Sequence, residues 1–388
     1  MIGQPHAETG GQNQGLPVSD RGLNYPTGMA LAPDGGLLLA DTVNSRVLLY
    51  SPMPAETNAS AMAVIGQPNL QTSAPVISRE GLNLPASVAA GAGKIAVADR
   101  ASHRVLIYTD PLQTGQSGIS AAVVIGQGGF ESAVSTCDAN GLDRPGAVTI
   151  TPDGKLIVAD TFNHRILVWD PIPEGGAPVP PPSLVLGQAD ADHCYSNDDD
   201  QMNGPDLDAN GNPIATARTL STPDDVWSDG KRLVVADRGN HRVLIWDTGT
   251  FPSTNFQPAN VVLGHSSFSN TSENSEHDAE GSLPAPTART LALPMGVHSD
   301  GKSLAVADAK NNRVLIWNTF PKISFERADV VLGHPGFEQR VQNDQNGDTL
   351  PDGPTSQIMY SPFRVLFSSD DLIVSDGLHH RVLVFRRQ

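Results

Sequence analysis

Apolar residues in this chain come in short runs punctuated by Pro, Gly, Asp and Asn, and the runs repeat in a fixed order. One cycle begins with a proline and a short apolar segment, passes an Asp-Gly or similar turn, and runs through apolar residues into Ala-Asp. It continues with Arg-Val-Leu-Ile-Trp or a variant, a Pro-rich connection, and Val-Ile-Gly-Gln or Val-Leu-Gly-His. Period and punctuation read this cycle as four short strands, so each cycle predicts one small antiparallel sheet.

The cycle is marked by an aspartate with an arginine five residues on, and it occurs six times. The aspartates are Asp41, Asp99, Asp160, Asp237, Asp308 and Asp376, and their arginines are Arg46, Arg104, Arg165, Arg242, Arg313 and Arg381. A lone four-stranded sheet cannot bury both of its faces and must pack against the next, which predicts an all-β, six-bladed β-propeller with 1–388 as a single domain. A motif present in every blade has a structural role, and His103, His164, His241 and His380 fall within it. The pattern Ala-Asp-x-x-Asn-His-Arg-Val, best kept at Asp160-Asn163-His164-Arg165 and Asp237-Asn240-His241-Arg242, resembles the NHL repeat. The resemblance spans essentially the whole chain and implies the propeller fold; it implies no single function, because NHL propellers do many unrelated things.

The two ends of the chain complement each other. Met1-Ile2-Gly3-Gln4 reads as an orphan fourth strand, while the last unit, Pro362 to Phe385, holds three strands. The N-terminal strand is therefore expected to complete the last blade and close the ring, which would otherwise leave two blade faces in water. The abrupt start, with no signal peptide in view, reads as a processed or trimmed form.

Connections between blades differ in length. Gln67 to Pro85 and Gln127 to Pro145 are short; Gln188 to Pro223, His265 to Pro294 and His334 to Pro362 are long. All leave a fourth strand and enter a first, so they emerge on the face of the Asp-to-Arg loops. Long polar loops on a rigid scaffold are where binding usually resides, which makes this face the candidate functional surface.

Charge narrows the partners. The chain carries 42 acidic against 25 basic residues, a net charge of -17, and six of its arginines are committed to the repeat. That argues against nucleic acid, whose phosphates demand clustered Lys and Arg. An acidic balance alone is more often a solubility device than a binding signal, and it is the dense acidic connections that point to a basic protein surface or a cation. No window approaches the roughly 18 apolar residues of a membrane span. The two cysteines, Cys137 and Cys194, lie in successive connections on one face; a bond between them is expected and would imply an extracytoplasmic site, periplasmic, cell-surface or secreted.

Three constellations could carry chemistry. The connection after Gln188 holds Asp190, Asp192, Asp198, Asp199, Asp200, Asp206 and Asp208, and its acidic triplet Asp198, Asp199 and Asp200 is a candidate partner-binding patch. Within it Asp206-Leu207-Asp208-Ala209-Asn210-Gly211 copies the first half of an EF-hand loop, making Asp206, Asp208 and Asn210 candidate calcium ligands; the bidentate Glu of the second half is missing and Ala217 stands in its place. A shorter acidic loop, Asp344 to Asp348, recurs in the last connection. On the inner rim, Asp224, Asp225 and Arg364 could hold a small polar ligand or a partner's side chain, or could stand in channel water. Some six-bladed relatives are zinc-dependent peptide-amidating lyases with histidines after the recurrent proline; here those positions are Thr27, Ala86, Gly146, Asp224, Met295 and Phe363. The reading is a protein-binding or assembly module acting through the acidic connections, with a metal-dependent propeller lyase or hydrolase as the alternative.

Overall fold

In the computed structural model, which describes residues 1–109, 112–175, 179–275, 285–348, 350–369 and 371–386, the repeats become six sheets arranged as the blades of a propeller. Five sheets have four antiparallel strands in chain order. In the third blade these are Ala147–Ile150, Leu156–Asp160, Arg165–Trp169 and Leu184–Leu186, running from the channel outward. The described residues contain no α-helix; a single 3-10 turn fills each Asp-to-Arg loop.

The last blade has three strands, Pro362–Ser368, Asp371–Asp376 and Arg381–Arg386. Ile2 pairs antiparallel with its outer strand: Ile2 N donates to Val382 O (2.9 Å) and Val382 N to Ile2 O (3.0 Å). The register is the one Ile65 adopts on Val47 in the first blade, so the N-terminal residues occupy the fourth-strand position of the sixth blade.

Second and third strands read Leu-Leu-Leu-Ala-Asp or Arg-Val-Leu-Ile-Trp without a polar alternation, and in the first and fourth blades, for example, Leu37–Asp41 and Arg242–Trp246 are buried throughout. Both faces of every blade are covered by neighbours, which is why the apolar runs are continuous. Six apolar clusters fill the six interfaces. Ala96, Val105 and Ile107 meet Val158, Leu167 and Trp169 between blades two and three, and Ile2, Ile373 and Val382 meet Leu37, Leu39 and Tyr50 where the ring closes.

Each Asp–Arg pair is a fully buried hub. Arg165 Nε donates to Asp160 Oδ2 at 2.8 Å, its Nη2 donates to the carbonyls of Asp138 and Gly141 in the incoming connection, and its Nη1 donates to that of Ala191 in the outgoing one. Asp160 Oδ1 accepts from the backbone of Asp143 at 2.7 Å and Oδ2 from Asn163 at 2.9 Å. Removing two charges from water is costly, and the pair persists because its donors and acceptors are matched. The sixth hub treats the N-terminal segment as its outgoing connection, with Arg381 Nη1 donating to Ala7 O at 2.6 Å.

A second circuit joins blade to blade. The residues before the six prolines, Tyr25, Leu84, Arg144, Thr222, Leu293 and Ser361, all have positive φ between 46° and 58°. That is a strained conformation for side chains other than glycine. Each of these backbone N–H groups is received by the preceding blade: His164 Nδ1 accepts from Thr222 (2.9 Å), His241 Nδ1 from Leu293 (3.0 Å), His380 Nδ1 from Tyr25 (3.0 Å), Asn312 Oδ1 from Ser361 (2.9 Å), His103 Nδ1 from Arg144 (3.2 Å) and Ser45 Oγ from Leu84 (3.5 Å). Gly-Gln has its own reason: the glycines, such as Gly66 at φ +89°, turn the chain where a Cβ would strike Leu82, and Gln67 Nε2 then donates to the Ser45 and Ala74 carbonyls. His265 and His334 stand in Gln's place, with Nε2 3.0 Å from the Asn240 and Asn311 carbonyls.

Two predictions come from this architecture. Deleting residues 1–4 removes Ile2, 1% exposed, from the sixth blade and should lower the melting temperature by several degrees, the loss of a buried Ile alone costing about 2–5 kcal/mol; an unchanged value contradicts the closure role. The His164 circuit requires an unprotonated Nδ1, and burial pushes the ring down to about 4, with the Asp143 carboxylate only partly opposing. Because the folded value lies below the unfolded one, the ring's contribution is intact above pH 6.5 and is lost as the pH falls toward 4, a penalty of roughly 2–3 kcal/mol. His164→Asn, which imitates Asn312, should be less acid-sensitive than the wild type when urea midpoints are compared across that range; parallel pH curves would refute the assignment.

Candidate functional site

Inner strands begin at the connection face, where proline pairs with the repeat aspartate, as Pro26 does with Asp41. The next residues line the channel. There the structure brings Asp224, Asp225 and Arg364 together from the fourth and sixth blades. Arg364 stretches across the channel: Nη1 reaches Asp224 Oδ2 at 3.2 Å and the Met295 carbonyl, while Nη2 donates to the carbonyls of Gly146 (3.0 Å) and Asp224 (2.7 Å). The small Gly146 makes this crossing possible, since a Cβ there would lie 2.9 Å from Asp224 O and 2.5 Å from Thr161 Oγ1.

Two further arginines, not singled out by sequence reasoning, converge on the same carboxylate. Arg100 Nη1 lies 3.4 Å and Arg238 Nε 3.9 Å from Asp224 Oδ1. Both occupy the position just after the repeat aspartate, where the other blades have Thr42, Thr161, Ala309 and Gly377. A charged residue at one repeat position among small ones was the signal available in the sequence. Blades two, four and six thus each contribute one arginine to Asp224. Burial alone would raise the Asp224 carboxyl; Arg100, Arg364 and Arg238 together hold it below the ordinary range. Asp225 is different. Burial pushes it up to about 6 against the pull of Arg364 and the Val297 N–H, which it accepts at 2.9 Å. The three residues close the channel by binding one another.

On the connection face, the acidic residues divide into inward and outward sets. Asp198 is fully buried, accepting from the backbone of Met202 and Asn203 at 3.1 Å each. Asp199 is half-buried and accepts from Thr216 Oγ1 at 2.9 Å, whereas Asp200 is exposed. Asp206 accepts the Asp199 N–H at 2.8 Å. Asp208 folds onto its own loop, taking the N–H groups of Asn212 (2.9 Å) and Asn210 (2.8 Å), and the Asn212 bonds hold its carboxyl below the ordinary range. Asn210 is exposed. Asp344 repeats the Asp198 arrangement, buried and accepting from Gly347 and Asp348. Among the described residues, no three His, Cys, Asp or Glu side chains converge to hold a metal.

The bases of two of the long connections are pinned to the ring. Asn197 and Asn240 exchange reciprocal amide bonds of 2.8 Å, and Asn274 and Asn311 do the same at 3.0 Å. Cys137 and Cys194 form a disulfide with a Cα–Cα distance of 6.1 Å, tying the connection between blades two and three to the next one. The connections Ser266 to Leu293 and Pro335 to Tyr360 include residues 276–284 and 349, which lie outside the described residues.

Four-stranded sheets ranged in a ring of six make this a six-bladed β-propeller. Its third blade, over residues 142–169, matches the family model of the NHL repeat, and with the same hub in every blade the chain is an NHL-repeat propeller. No curated protein matches it significantly in sequence. Solved structures similar in fold include Kuenenia stuttgartiensis hydrazine synthase (14% identity, TM-score 0.46, covering 97% of this chain and 99% of that one). An auxiliary nutrient binding protein from Bacteroides thetaiotaomicron is similar at 11% identity and TM-score 0.48, covering 93% of this chain and 68% of the other. A streptogramin B lyase is similar at 10% identity and TM-score 0.42, covering 97% and 86%. At such scores these likenesses concern the fold and carry no argument about ligand or reaction. No helix among the described residues is long and apolar enough to cross a membrane.

The channel closure generates a test. Arg364→Met leaves Asp225 buried beside Asp224 without its guanidinium and should cost about 3–5 kcal/mol in urea denaturation. A loss below about 1 kcal/mol would mean that water already solvates the two carboxylates.

Proposed function

We propose that this propeller is an extracytoplasmic protein-binding or assembly module that receives a basic partner on its connection face. One observation carries the reading: the connection from Ala189 to Leu220, pinned by its disulfide and by buried Asn and Asp side chains, holds Tyr195, Met202 and Leu207 at 48%, 78% and 53% exposure. Exposed Asp190, Asp192 and Asp200 lie along the same connection. A rigid loop that keeps large apolar side chains in water beside carboxylates has the composition of an interface, where aromatic and Met anchors supply affinity and the charges around them supply steering. Rigidity matters, because little conformational entropy is left to lose when a partner docks. The disulfide supports a place outside the reducing cytoplasm. Asp198, Asp199, Asp206 and Asp208 serve this face from within by fixing the loop.

The experiment is a pull-down from the extracytoplasmic fraction of the producing cell, with the wild type and a Tyr195→Ala, Met202→Ala, Asp200→Asn variant as baits. The expected outcome is a basic partner retained by the wild type, released as salt rises and lost at least tenfold by the variant, with both baits melting within a few degrees of each other. A partner held equally by both baits and at high salt would place the interface elsewhere.

A further inference from the structure

Below the Arg364 crossing the channel widens into a cavity of about 250 Å³ lined by all six inner strands. It lies toward the hairpin-turn ends of those strands, where Ile150, Pro152 and Phe367 line it, on the opposite side of the plug from the connection face. Its walls are mixed, apolar side chains such as Leu31, Ala89, Ile150 and Leu366 alternating with polar surface in about equal measure. At its closed end stand Arg364 and Asp225, and partway down stand Trp227 and His298.

The unspent hydrogen-bonding groups in this cavity are specific. Arg364 is 4% exposed and its two terminal nitrogens are engaged by Asp224 and four carbonyls, yet Nε–H has no hydrogen-bond partner among the described residues. Its nearest acceptor, Asp225 Oδ1, lies 3.5 Å away in the ion pair. A buried donor left in that state is costly, and a polar atom seated to one side of this pair could accept from Nε–H and donate to Oδ1. Farther from the plug, His298 Nδ1 accepts the Phe367 N–H at 3.2 Å, which puts the ring proton on Nε2. The His298 ring stands between Trp227 and Phe367, with centroids 6.4 and 6.0 Å away, forming an aromatic wall. Charge selects against ions. The charged side chains that line it, Arg364 and Asp225, are already paired with each other, so an added ion of either sign would find no uncompensated opposite charge at the closed end.

We propose that this cavity is a binding site for a small uncharged molecule with an apolar, preferably aromatic, body and one hydroxyl or amide head group. The head sits beside the Arg364–Asp225 pair at the closed end, and the body stacks in the Trp227–His298–Phe367 wall. At about 250 Å³ the space equals roughly eight waters, so the ligand is fragment-sized. Its head displaces water that a simple hydroxyl can replace, and its body gains burial that water cannot. The site lies on the far side of the plug from the connection face and does not depend on the partner reading above.

The test uses benzyl alcohol as the probe and the indole N–H resonance of Trp227 in the intact chain as the readout. Trp169, Trp246 and Trp317 have their indole N–H groups bonded to the carbonyls of Pro180, Gln257 and Glu326 and serve as internal references. Saturable displacement of the Trp227 signal in the millimolar range is expected, with benzoate and benzylamine at least tenfold weaker. Ala30→Phe, which fills the cavity from a half-buried wall position, should abolish the response. If that variant fails to fold, nuclear Overhauser contacts from the probe to the Trp227 and His298 rings of the wild type give the same answer. No saturable shift, a shift that persists in a folded Ala30→Phe, absent ring contacts, or equal binding of the charged probes would each overturn the proposal.

Discussion

The buried Asp–Arg pair is the interaction on which the propeller depends. A guanidinium offers five N–H donors in one plane, and each hub spends them on a carboxylate and on carbonyls from two different connections. One side chain therefore fixes where the chain enters a blade and where it leaves. In an apolar interior neither member could be tolerated alone, so the pair also specifies the register of the second and third strands, Asp160 opposite Arg165. The blade-to-blade bonds from Ser45, His103, His164, His241, Asn312 and His380 then hold the strained residue before each proline, converting six separate sheets into a closed circuit.

Because the hubs are the same in every blade, departures from the repeat are where individuality sits. Asp224, Arg364, Arg100 and Arg238 all occupy positions that are small or neutral in most other blades. They come from three alternate blades and meet on the channel axis, where six inner strands approach most closely. The resulting plug divides the channel into a connection side and a turn side. This gives the molecule two unlike faces, one acidic with exposed apolar anchors and one leading into a small cavity with an aromatic wall.

The acidic connections show how composition and placement can diverge. Seven aspartates between Asp190 and Asp208 read alike in the sequence, yet Asp198 is buried and holds backbone, Asp208 closes a turn, and Asp200 faces water. Asp and Asn favour loops because they bond to backbone a few residues away, so a dense acidic run builds its own local scaffold before it presents any charge outward.

Sequence by itself determined the propeller. The strand order, the hub positions, the connection face and the orphan N-terminal strand are all written in local patterns repeated at a fixed spacing, and such patterns survive without knowledge of distant contacts. Asp224, Asp225 and Arg364 could be placed on the inner rim for the same reason. What they do there was decided only by the tertiary structure, because Arg364 meets residues 140 and 218 positions away along the chain, across a channel whose width no local pattern encodes. The role of Arg100 and Arg238, the burial of Asp198 and the cavity under the plug belong to the same class. Each depends on the distance between blades that are not neighbours, and that distance is a property of the closed ring rather than of any one repeat.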